Sequence, residues 1–127
     1  MGPYDCQIIS TYISQASSDP LQAENAVSVS DDTVIVIETQ FGGAFPAVTA
    51  IVGAAIIDAS RCTHLFDVRT TFVVRSGHDR RSFPVPEDAF TDRADHLCEI
   101  KAYLSVRINT DFPPDASWAT RSFLLTV

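Results

Sequence analysis

Glu99-Ile100-Lys101-Ala102-Tyr103-Leu104-Ser105-Val106-Arg107-Ile108 alternates polar and apolar residues without a break. Successive side chains of a β-strand point to opposite faces, so this stretch has two unlike sides. Ile100, Ala102, Leu104, Val106 and Ile108 form an apolar face; Glu99, Lys101, Tyr103, Ser105 and Arg107 form a wet one. One face for a core and one for water is the pattern of antiparallel sheets.

The neighbouring segments follow the same logic. Leu65 to Arg75 places Phe66, Val68, Thr70, Phe72 and Val74 on one side and Asp67, Arg69, Thr71, Val73 and Arg75 on the other. Thr33 to Phe41 contains the β-branched run Val34-Ile35-Val36-Ile37, and Gln7 to Ile13 is β-branched and aromatic. Ser76-Gly77-His78-Asp79 reads as a turn into a short strand, Arg80 to Val85, which Pro84 and Pro86 confine to a sheet edge. A last strand is expected over Thr120 to Val127, after a loop from Asn109 to Ser117 that carries Pro113-Pro114. Single helical turns have room at Leu21 to Ala26 and within Pro86 to His96.

Ala47 to Asp58 is apolar on both sides of the pleat. Such a run implies a strand covered on both faces, by the rest of the domain or by a partner subunit. Together the segments make seven or eight strands with turn chemistry between them. This spacing predicts an all-β fold: a two-layer antiparallel β-sandwich with immunoglobulin-like or jelly-roll connectivity. The 127 residues are expected to form one such domain.

Composition narrows the function classes. Net charge is −7, and the imbalance lies in the first 60 residues, where Asp5, Asp19, Glu24, Asp31, Asp32, Glu38 and Asp58 face no Lys or Arg. An acidic chain repels phosphate backbones, which disfavours nucleic acid as a partner. No apolar run approaches the roughly 20 residues that span a bilayer. The start, Met1-Gly2-Pro3-Tyr4-Asp5-Cys6, lacks the basic and apolar stretches of a signal peptide. The expectation is a cytoplasmic protein, or a domain excised from a larger or exported one.

Chemistry-bearing motifs are few. No G-x-S-x-G, Walker loop, dinucleotide glycine pattern or H-E-x-x-H occurs. Cys62-Thr63-His64 and His96-Leu97-Cys98 would supply a Cys₂His₂ donor set if their strands were neighbours. That is the basis for a small metal- or thiol-dependent enzyme, although buried thiols beside surface histidines are the plainer reading. A Cys62–Cys98 bridge is conceivable in an exported protein. His78 falls in a turn among charged residues and reads as solvent-exposed. The acidic groups Asp31-Asp32, Asp88 with Asp92 and Asp95, and Asp111 with Asp115 lack the spacing of a calcium loop. No catalytic residue, metal ligand or cofactor is assigned.

The leading expectation is a non-catalytic binding module acting through protein–protein contacts and self-association, with Val48, Ile51, Val52 and Ile56 of the doubly apolar strand as its interface. The alternative is a carbohydrate-binding sandwich. Its ligand residues would be the loop and wet-face aromatics Phe41, Phe45, Tyr103, Phe112 and Trp118, since such rings stack on sugars or anchor a partner protein.

Overall fold

The computed structural model describes residues 6–16, 23–24, 26–28, 32–42, 49–74, 77–86, 96–107 and 115–126. All eight elements are strands: β1 (Cys6–Gln15), β2 (Ala26–Ser28), β3 (Thr33–Phe41), β4 (Thr49–Asp58), β5 (Thr63–Val73), β6 (Gly77–Pro84), β7 (His96–Arg107) and β8 (Asp115–Thr126). Among the described residues there is no helix, and so none long and apolar enough to cross a membrane. At Leu21 to Ala26 the described residues are extended instead of helical: Glu24 forms an antiparallel bridge with Ile13, and Ala26 opens β2. Residues 87–95, where the other helical turn was expected, and the loop residues 43–46 and 109–114 lie outside the described residues.

The strands form two sheets, one in the order β1-β3-β6 and the other in the order β2-β8-β7-β4-β5. All pairings are antiparallel except the three-residue β2, which runs parallel to β8. In immunoglobulin lettering β1, β3 and β6 take the places of strands A, B and E, and β8, β7, β4 and β5 those of G, F, C and C′. The strand order is therefore immunoglobulin-like rather than jelly-roll. It carries no interstrand disulfide: Cys6, Cys62 and Cys98 are all thiols.

The core lies between the sheets, as the alternation demands. Ile13, Ile35, Ile37 and Phe41 from the three-stranded sheet meet Val52, Ile56, Phe66, Phe72, Ile100, Leu104, Val106 and Phe123 from the five-stranded one. Each fully buried Val, Leu, Ile or Phe side chain contributes about 1.5–3 kcal/mol. Ala54 and Ala102 stand opposite one another in register and are wholly buried, which leaves room for the larger side chains of the facing sheet. Phe41 and Phe72 meet edge to face across the layers, with ring centroids 5.9 Å apart.

Two expectations shift. The strand buried on both faces is β3: Val34, Ile35, Val36 and Ile37 are all buried, and Val34 and Val36 join Tyr12 in a second apolar cluster on its outer side. In β4, by contrast, the inward residues are buried while Ile51 is exposed and Ala55 and Ile57 are only half-buried. The run is apolar on both sides because its outward positions are small or open, not because both are covered. The second shift is in β6 and β8, which begin earlier than their apolar patterns do. Residues 77–79 and 115–117, which carry no large apolar side chain, pair in register with β3 and β7, and backbone pairing needs none.

Candidate functional site

The outward face of the five-stranded sheet carries two of the residues singled out above, Tyr103 and Ile51. Register sets its rows across β5, β4, β7 and β8. One row reads Arg69, Gly53, Tyr103 and Trp118; the next on one side Thr71, Ile51, Ser105 and Ala116, and on the other Asp67, Ala55, Lys101 and Thr120. Tyr103 is half-buried because its ring lies over Gly53. A Cβ at position 53 would stand 2.7 Å from the Tyr103 hydroxyl and 2.9 Å from the ring carbon that bears it. Glycine in a strand interior commonly marks a close approach of this kind.

The placement divides the candidate ligand residues. Tyr103 lies half-buried on the outward face, and its strand pairs in register with β8 at Trp118. Phe41 is buried in the core at 1% exposure and takes no part in that face. Phe45 and Phe112 lie outside the described residues. Of the candidate interface residues, Val52 and Ile56 point into the core, Ile51 points outward, and Val48 lies outside the described residues.

The thiol and imidazole groups do not converge. β4 lies between β5 and β7, pairing with both, so the two pairs of donors are two strand spacings apart, about 9–10 Å. His64 is exposed and beside Asp67, with Nε2 to Oδ1 at 2.9 Å, whereas Cys98 is wholly buried. Burial, followed by the nearby Asp58 carboxylate, pushes the Cys98 thiol from 9.0 up to about 11. A thiol so placed is a poor nucleophile at neutral pH. Among the described residues no three His, Cys, Asp or Glu side chains are grouped to hold a metal ion. Asp58 itself is structural: its Oδ1 accepts the backbone N–H of Ser60 at 3.0 Å and of Arg61 at 3.2 Å, closing the β4–β5 turn.

A polar cluster that the sequence reading did not pick out occupies the outer face of the smaller sheet. Glu38 on β3 accepts a hydrogen bond from Arg80 Nε at 3.2 Å and lies 3.1 Å from His78 Nε2, both on β6. The Tyr12 hydroxyl also bonds to Glu38, and burial first, then the Glu38 charge, raises its pKa. Glu38 thereby fastens the β6 edge to β3 and to Tyr12 of β1. His78, read as a turn residue, is therefore a strand residue with a carboxylate partner. Only the β3–β6 pairing could have revealed it.

The edges of the sheets differ in kind. β6 turns a charged pair inward: Arg81 Nε donates to Asp79 Oδ2 at 2.9 Å, and its guanidinium carbon lies 4.3 Å from the Phe72 ring centroid. Inward charges and a terminal Pro84 are devices that discourage strand addition. β5 has neither. It is 11 residues long, contains no Pro or Gly, points Phe66, Val68 and Phe72 inward, and among the described residues pairs with β4 alone. Its outward residues include Val73, 57% exposed, and beside them on β4 stands Ile51, 36% exposed. No protein family, curated protein or solved structure matches the chain.

Proposed function

We propose that the chain is a non-catalytic binding module that acts through protein–protein contacts and associates with itself. The observation that carries this reading is the long strand β5, which among the described residues pairs with β4 alone and carries the exposed Val73, with the exposed Ile51 on β4 beside it. A strand edge offers a row of backbone donors and acceptors to another chain, and adjacent apolar side chains add burial. Sedimentation velocity over a wide concentration range tests it. Rising weight-average mass with concentration supports self-association; a strictly monomeric species at every concentration overturns it.

A carbohydrate-binding reading has one specific observation in its favour, the register that sets Arg69, Gly53, Tyr103 and Trp118 in one row across the sheet. Indole fluorescence titrated with sugars distinguishes the two readings, since a stacked sugar ring changes Trp118 emission and a contact at the β5 edge does not.

A further inference from the structure

We propose that the second copy docks along β5 itself, as an antiparallel strand pair about a two-fold axis through Val68, with Asp67 of each copy opposite Arg69 of the other. This rests on the self-associating reading above and specifies its geometry. Two observations lead to it: the direction of the backbone groups along β5, and the order of its two charged side chains.

The backbone comes first. In β4–β5 pairing, Gly53 is opposite Arg69 and Ala54 opposite Val68. The Val68 carbonyl oxygen lies 2.5 Å from where a Gly53 Cβ would be, so it is turned toward β4. In an antiparallel ladder the residues of one parity bond to one neighbour and those of the other parity to the opposite side. The backbone N–H and C=O of Asp67, Arg69 and Thr71 therefore point away from β4, toward the open edge. These are the groups a further strand would use.

The side chains then choose the occupant and its register. Asp67 and Arg69 are both exposed and both outward-facing, two residues apart. When such a strand pairs with its own copy, three registers bring these positions together. Centring on residue 67 sets Asp67 against Asp67, and centring on residue 69 sets Arg69 against Arg69. Centring on Val68 sets Asp67 against Arg69 twice, once on each side of the axis. Opposite charges directly across a ladder stabilise and like charges destabilise, so of these three registers the charge order favours the one centred on Val68. In that register Phe66 and Thr70 of the two copies stand opposite each other on the inward side, and the two five-stranded sheets become continuous. The contact is isologous, so it closes at two copies and does not propagate.

The experiment is a charge exchange in the full chain, read by sedimentation velocity up to roughly 1 mM, where even a contact of millimolar Kd is half formed. Asp67→Arg and Arg69→Asp each place like charges opposite at both pairs, and each is expected to weaken self-association about tenfold or more. Mixed in equal amounts, the two variants are expected to form a mixed dimer. The double variant Asp67→Arg/Arg69→Asp is expected to self-associate as the parent does. Circular dichroism and melting temperature confirm that each variant is folded. If the parent chain is monomeric throughout, the self-associating reading falls and this one with it. If the parent associates and both single variants associate equally well, only the β5 pairing is overturned.

Discussion

Replacing Gly53 with alanine sets two effects of similar size against each other. Glycine in a strand interior costs about 0.5–1 kcal/mol relative to alanine, through the backbone freedom it loses on folding. On that ground alone the substitution would stabilise. At this position, however, the new methyl carbon would meet the Val68 carbonyl oxygen at 2.5 Å, the Tyr103 hydroxyl at 2.7 Å and its ring carbon at 2.9 Å. The tyrosine can swing aside, because it is half-buried on an outward face. The carbonyl cannot, because it belongs to the β4–β5 ladder. Relieving the contact means spreading the two strands, and overpacking of this kind costs about 1–3 kcal/mol. The clash outweighs the entropy gain, and Gly53→Ala is expected to destabilise by about 1–2 kcal/mol. For a domain of this size that lowers the melting temperature by roughly 3–8 °C. Urea unfolding measures the free energy directly. Adding Tyr103→Ala separates the causes: it removes two of the three contacts and leaves the carbonyl, so the double variant is expected to stay less stable than Tyr103→Ala alone by about 1 kcal/mol or more. A Gly53→Ala variant as stable as the parent would refute the reasoning.

Two further outcomes follow from the same structure. The Cys98 thiol is held at about 11 in the folded protein against an ordinary 9.0. Between these values the unfolded chain releases the proton first, so the stability contribution is intact below pH 9 and lost as pH rises toward 11, by about 2–3 kcal/mol in all. Cys98→Ala is expected to flatten this alkaline fall in chemical-denaturation series, and a parent curve already flat from pH 8 to 11 would count against it. Along β5, Thr71→Pro removes an N–H that points to the open edge and is expected to cost less than about 1 kcal/mol, while Thr70→Pro removes one that pairs with β4 and costs at least about 1–3 kcal/mol. Equal losses in thermal melts would reverse the assigned backbone directions.

The polarity pattern carried the layers of this fold and little of its adjacency. Glu99 to Ile108 and Leu65 to Arg75 show their inward and outward sides in the sequence because burial follows the pleat: Ile100, Leu104, Phe66, Val68 and Phe72 are all core residues. The edge position of β6 was likewise legible, from Pro84. Which strands lie side by side was not, since that is decided by long-range register. Hence Cys62 and Cys98 looked like possible neighbours until β4 was found between their strands. The register of Tyr103 with Trp118 likewise depends on β8 beginning at Asp115, before its apolar pattern does. The place of β5 at the end of its sheet among the described residues is the least visible feature of all, because an edge strand and a central strand can share one alternating sequence.

Amide hydrogen exchange along β5, followed residue by residue by NMR in dilute and in concentrated protein, bears most directly on an open strand edge that a second copy fills. In dilute solution the amides of Asp67, Arg69 and Thr71 should exchange rapidly while those of Val68 and Thr70 are protected. At high concentration the first set should become protected as well. Uniform protection of all five amides at every concentration would mean that the edge is already covered, and uniform exposure of Asp67, Arg69 and Thr71 at every concentration that no second copy docks there.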